Sequence, residues 1–219
     1  MQRSYVEAHM PLRAAFIAAC KWARGKEVSL ISPSTSVVEA QPWLESSGVA
    51  IGTTSNRHSR FSARPRGVVI GWCLNLGEVL EIESKKSVSS IVVVQAHTGH
   101  APWVTAHDVE RLGGSEIVPV PEASKAVKAM VAGITSLAVL NQGLIDNRER
   151  SMAIQALTFM RDRGHALDPE QLVAEAIQQD WAGTSPLEFA DLARDVNRGK
   201  RLRFQNRLNA QALESWASA

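Results

Sequence analysis

Hydrophobic positions fall into two regimes along the chain. Up to Val120 the apolar residues come as short, β-branched runs, and from Pro121 they recur at helical spacing. The clearest part of the first regime is Arg66 to His97. Gly67-Val68-Val69-Ile70-Gly71 and Ser90-Ile91-Val92-Val93-Val94 lack polar alternation, as strands buried on both faces of a parallel sheet do. Asn75 and Glu78 between them have the spacing of a capping box, and Leu76, Val79, Leu80 and Ile82 continue at roughly helical intervals. This predicts a strand, a crossover helix and a second strand, connected right-handedly.

On either side the pattern predicts more of the same sheet. Pro11 to Arg24 reads as a helix with Phe16, Ile17 and Cys20 on one side, and Gly25 supplies a left-handed C-cap. Glu27 to Ile31 and Gly48 to Thr53 read as the first two strands. Between them lie the hydroxyl-rich loop Ser32 to Ser36 and a helix that Ser36 and Glu39 would cap, delayed or broken by Pro42. Thr54 to Arg66 is the longest stretch without a pattern. Gln95 to Trp103 reads as a turn, Thr105 with Asp108 as the start of a short helix closed by Gly113-Gly114, and Glu116 to Val120 as an edge strand.

In the second regime Val127, Met130, Val131, Ile134, Leu137 and Ala138 make one apolar stripe. Asp146 with Glu149 caps a helix carrying Met152, Ala153, Ala156, Phe159 and Met160, ended by Gly164. Asp168-Pro169-Glu170-Gln171 is a cap followed by proline at the first helical position, with Leu167 and Leu172 as a hydrophobic staple. Ser185-Pro186-Leu187-Glu188 repeats the device in a helix ending at Gly199. Phe204, Leu208, Ala212 and Trp216, at steps of four, mark a last helix. The architecture expected is an α/β domain over residues 1–120, with about five strands in a mostly parallel, Rossmann-like sheet. A helical region follows over 121–219, separate or packed on the sheet. That strand and helix order serves many unrelated functions, so it carries none by itself.

Composition changes this picture little. The chain has 219 residues, 45% hydrophobic and 21% charged, with a formal net charge of +2, so a nucleic-acid argument must rest on local clustering. Two cysteines give no disulfide framework and fit a reducing cytoplasm. Met1 to Met10 has no apolar core of a signal peptide, and no apolar run approaches a membrane span. The six tryptophans are spread along the chain and read as separate packing anchors.

Candidate chemistry is sparse. Ligands of open parallel sheets bind beyond the carboxyl ends of the strands, which points to Ser34, Thr35, Thr53, Asn75, Gln95 and His97. The Ser32–Ser36 loop lacks the glycine and lysine of a phosphate cradle and reads first as a cap and turn. His97, His100, His107 and Asp108 match no zinc spacing and read as loop histidines. Cys73 beside Trp72 reads as buried packing rather than a nucleophile. No catalytic residue, metal or cofactor is therefore assigned. Positive charge concentrates in two stretches free of acids. One holds Arg57, Arg60, Arg64 and Arg66, and the other Arg198, Lys200, Arg201, Arg203 and Arg207. The function expected is a non-catalytic or degenerate module that binds nucleic acid or an acidic protein through these stretches. The alternative is a nucleotide or sugar-phosphate enzyme or sensor using the strand-end loops.

Overall fold

A computed structural model describes residues 1–55, 60–138 and 142–219. The chain divides into two compact units, Met1–Val118 and Pro119–Ala219.

The first unit is built on a six-stranded parallel sheet. Its strands are β1 (Gln2–Glu7), β2 (Val28–Ser32), β3 (Ala50–Thr53), β4 (Gly67–Trp72), β5 (Val88–Ala96) and β6 (Glu110–Gly113), in the order β3-β2-β4-β5-β1-β6. β4 and β5 pair in register from Val68 opposite Ser90 to Trp72 opposite Val94, as their β-branched runs lead one to expect. Between them α3 (Leu76–Glu83) carries a complete capping box. The Asn75 side chain accepts from the Glu78 amide at 3.0 Å, and the Glu78 carboxylate accepts from the Asn75 amide at 2.9 Å.

Two strands escaped the hydrophobic pattern. β1 is an interior strand between β5 and β6, yet it buries Ser4 and Glu7, and its Arg3 guanidinium donates to Glu83 at 2.8 Å. β6, with the polar sequence Glu-Arg-Leu-Gly, lies where a helix closed by Gly113-Gly114 was expected. The expected turn from Gln95 to Trp103 instead contains a 3-10 turn at Thr98–His100 and α4 (Ala101–Ala106), with Pro102 in its first turn and Thr105 inside it. Glu116 to Val120 forms no strand, and Val118 is 77% exposed. Among the described residues the sheet already ends at β6, which pairs with β1.

One face of the sheet presents Val6, Leu30, Ile51, Ile70, Trp72, Val92 and Val94 to Ala15 and Ala19 of α1 (Leu12–Trp22), Val38 of α2 (Thr35–Glu39) and Leu44 of a 3-10 helix at Pro42–Ser47. Ile17 of α1 is exposed, not buried as its stripe suggested. The tryptophans are not all separate anchors. Trp43 and Trp72 meet edge-to-face at 5.9 Å, and Phe16 closes the trio at 5.4 and 6.2 Å from them, an arrangement aromatic quadrupoles favour. Of the expected loop from Thr54 to Arg66, residues 56–59 lie outside the described residues, and Ser62 and Ala63 lie along β3: Gly52 bridges Ser62, and the Ala63 amide donates to the Ile51 carbonyl. A Cβ at Gly52 would lie 1.9 Å from the Ala63 carbonyl oxygen, so glycine is required there.

The second unit is helical. α5 (Lys125–Leu137), α6 (Asn147–Asp162), α7 (Pro169–Gln178), α8 (Ser185–Asn197) and α9 (Ala210–Ala217) enclose a core that includes Met130, Ile134, Met152, Leu157, Leu172, Phe189 and Leu213. Leu137 ends its stripe exposed. Asp146 caps α6 by accepting from Arg148 and Glu149 amides, and the buried Glu149 reaches back to Asp146. Asp168 caps α7 in the same way, and Leu167 and Leu172 are both buried. At α8 the cap position falls on Thr184. Ser185, expected to cap, instead accepts from the Leu144 amide at 2.5 Å.

The last helix is the largest departure. Residues 201–209 form neither helix nor strand, with a bend at Leu208, and the helix is confined to Ala210–Ala217, capped by Asn209. Gln155 of α6 explains the difference. Its side-chain oxygen accepts from the amides of Arg207 at 2.8 Å and Leu208 at 2.9 Å, while its nitrogen donates to the Leu208 carbonyl at 2.9 Å. These bonds satisfy the non-helical backbone at Arg207 and Leu208 and seat Leu208 in the core, leaving Phe204 out of it, 38% exposed. Beyond them Trp216 of α9 packs flat against Gly133, where a Cβ would lie 2.2 Å from its ring.

Replacing Asn75 with alanine removes one side of the α3 capping box and should cost about 1 kcal/mol. Chemical denaturation should show a lower midpoint with an unchanged slope. An unaltered midpoint would mean that the box does not hold α3.

Candidate functional site

The topology of the sheet fixes where its strand ends can cooperate. The chain leaves β2 toward β3 and leaves β4 toward β5, so connections diverge at the neighbouring carboxyl ends of β2 and β4. The loops there are largely occupied with one another. Ser34 and Ser36 hydroxyls bond at 2.8 Å, and Thr54 donates to the Pro33 carbonyl at 3.2 Å and to Glu78 at 2.5 Å. Asn75 is committed to its cap, and Glu78 places a carboxylate where a phosphate would otherwise approach. Thr35 opens α2, and Thr53 ends the edge strand β3 with a buried hydroxyl that has no hydrogen-bond partner among the described residues. Backbone strain concentrates one strand further in. Cys73 (φ 55°) and Gln95 (φ 66°) hold left-handed conformations at the ends of the paired strands β4 and β5, a conformation non-glycine residues adopt at a cost.

The histidines do structural work. His100 is fully buried. Its Nδ1 accepts from the His97 amide at 3.2 Å and its Nε2 donates to the Leu74 carbonyl at 3.0 Å, so it ties the end of β5 to the loop before α3. Burial, and then the neighbouring His97, pushes its pKa down to about 4. Exposed His97 caps the 3-10 turn, with Nδ1 accepting from the Gly99 amide. Burial, then Arg3 and the chain's amino terminus, likewise lowers His107 to about 4. Among the described residues no three metal-ligating side chains cluster. One pair that sequence reasoning missed ends β1. The buried Glu7 carboxylate accepts from the His9 amide at 3.0 Å and from the Ser115 amide at 3.3 Å, with His9 Nδ1 at 2.5 Å.

The two basic stretches fall in different units. Arg57 lies outside the described residues. Arg60 pairs with Glu39 at 3.0 Å and Glu45 at 2.9 Å and lies over the Phe61 ring, while Arg66 pairs with Glu27 at 3.0 Å. The acids absent from this stretch in sequence are thus supplied by neighbouring elements, and Arg64 remains without such a partner among the described residues. Lys200 pairs with Asp195 at 2.6 Å. Arg198, Arg201, Arg203 and Arg207 are exposed and make no ion pair among the described residues.

Arg203 and Arg207 gain their importance from residues far away in sequence. The non-helical segment before α9 lies beside the first turns of α6 and leaves a groove of about 450 Å³. Its lining comprises Asn147, Arg148, Arg150 and Ser151 on one side and Arg203, Phe204, Gln205 and Arg207 on the other. Four arginines therefore line one hollow, and among the described residues no carboxylate joins them in its lining. The Arg207 guanidinium donates to Gln205, and a neighbouring hollow of about 340 Å³ carries Asp146 and Glu188 beside Arg150. The helix amides at this end are already satisfied by Asp146, so an anion here would be held by side chains. Arg148 and Arg150 flank Glu149 just after Asp146 in sequence, which concealed them.

Residues 124–217 match a family described as a domain of unknown function, DUF1889, and the whole groove lies within that stretch. No curated protein and no solved structure matches the chain. No helix among the described residues is long and apolar enough to cross a membrane.

Two outcomes follow from these environments. Burial raises the Cys73 thiol to about 11, so a thiol reagent at neutral pH should label the native protein at Cys73 far more slowly than the denatured chain. Rapid native labelling would restore it as a nucleophile. His100 and His107 have folded-state values near 4, below the ordinary value of 6.5. The unfolded chain therefore binds more protons between those limits, and stability is present above about 6.5 and lost as pH falls toward about 4. Thermal melts across that window should decline, and less steeply in a His107→Gln variant. An equal decline would exclude His107 as a contributor.

Proposed function

We propose that this protein is a non-catalytic binding module whose ligand is a polyanionic macromolecule, a nucleic acid or an acidic protein. The observation that carries the reading is the groove where Arg148, Arg150, Arg203 and Arg207 converge without a lining carboxylate. Unpaired guanidiniums held close together repel one another, and an anion bridging them relieves that repulsion while accepting paired hydrogen bonds. Arg198 and Arg201 extend the positive surface along the same segment. In the other unit Arg64 is available, whereas Arg60 and Arg66 already neutralise Glu39, Glu45 and Glu27. With a net charge of only +2, the attraction is local to this face.

The test is binding to heparin and to mixed nucleic acids across a salt series. Affinity should fall steeply with salt, and Arg203→Glu with Arg207→Glu should lower it by about tenfold or more while flattening the slope. Both positions are exposed, so the thermal transition should be preserved. Binding unchanged in the double variant would remove the groove as the site.

A second reading, a small-molecule enzyme or sensor, is favoured by the left-handed Cys73 and Gln95 at adjacent strand ends and by the unpartnered Thr53 hydroxyl nearby in the sheet. It expects a nucleotide or sugar phosphate to raise the melting temperature by mass action. No shift at saturating ligand would exclude it.

A further inference from the structure

From the same groove we infer a narrower ligand class: single-stranded nucleic acid, held by phosphate contacts to the arginines and by a base stacked on Phe204. This inference rests on the polyanion reading and adds the role of the ring. Phe204 is one of few large apolar side chains left exposed among the described residues, and it stands in the groove between Arg203 and Gln205. The core does not need it, since Leu202 and Leu208 on either side supply the packing. A polymer of carboxylates would gain little from an aromatic surface among guanidiniums, and a duplex keeps the faces of its bases stacked inside. An unpaired base offers both a π-face for Phe204 and a phosphate for the neighbouring arginines.

The rest of the lining fits the same ligand. Asn147 and Gln205 present amides, which can both donate to and accept from a base edge. The Gln205 side-chain oxygen is engaged by Arg207, and its NH2 remains to donate. A groove of about 450 Å³ is of the size that admits a base with its sugar, within the range of small-ligand pockets. The segment bearing Phe204 is also fixed before any ligand arrives. Gln155 pins its end through three hydrogen bonds, and Leu208 is buried. A ring presented on a fixed backbone loses little freedom on stacking.

The experiment is fluorescence anisotropy of the full chain with labelled oligo-U and oligo-dT, a DNA duplex and poly-glutamate, at low salt and across a salt series. The single strands should bind more tightly than the duplex or the polypeptide. Phe204→Ala should weaken single-strand binding by about five- to a hundredfold with an unchanged salt slope and unchanged poly-glutamate binding. Phe204→Tyr should retain it, and Arg203→Gln should weaken every ligand and flatten the slope. If Phe204→Ala binds single strands as the parent does, or if the duplex or poly-glutamate binds best, the stacking inference is overturned and the polyanion reading stands. If none of the four binds at low salt, both are overturned.

Discussion

The side-chain amide of Gln155 determines what the carboxyl-terminal unit can present to a ligand. It offers an oxygen to two consecutive backbone amides and a nitrogen to the carbonyl between them and α9, which ties the non-helical segment before α9 to α6 at Arg207 and Leu208. Had the periodic spacing of Phe204, Leu208, Ala212 and Trp216 prevailed, all four would have shared one buried helical face. In the observed form Leu208 is buried and Trp216 packs against the core, while Phe204 turns outward and Arg203 and Arg207 line one groove with Arg148 and Arg150. One glutamine thus converts a stretch of surface arginines into one wall of a groove.

Charge is treated differently in the amino-terminal unit. Arg3, Arg60 and Arg66 each find a carboxylate from another element, at Glu83, at Glu39 and Glu45, and at Glu27. The exposed pairs of Arg60 and Arg66 contribute little stability, but they cancel local field, whereas Arg3–Glu83 is largely buried. Its strand-end loops are similarly committed: Asn75 to Glu78, Thr54 to Glu78, His100 to Leu74 and His97. Only the strained Cys73 and Gln95 and the Thr53 hydroxyl depart from that pattern. The uncompensated positive charge in a concave setting belongs to the helical unit.

Much of the fold was legible because its signals are local. The β4–α3–β5 unit is readable from two β-branched runs and the Asn75–Glu78 spacing, and the caps at Asp146 and Asp168 from the oxygen they place before a helix. What escaped depends on contacts distant in sequence. β1 and β6 are polar and short, and become strands only because β5 and β1 offer them paired edges. Leu208 and Phe204 share a helical period, but the Gln155 contact decides between helix and non-helical chain. The candidate site shows the same division. Arg203 and Arg207 stood out as a basic run, whereas Arg148 and Arg150, alternating with acids at the start of α6, did not.

The most direct measurement is arginine modification read by mass spectrometry, with and without a saturating anionic polymer. The account predicts that Arg148, Arg150, Arg203 and Arg207 are all modified in the free protein and protected together in the complex, while Arg64 stays reactive. Protection confined to Arg64, or none at any of the four groove arginines despite binding, would contradict it.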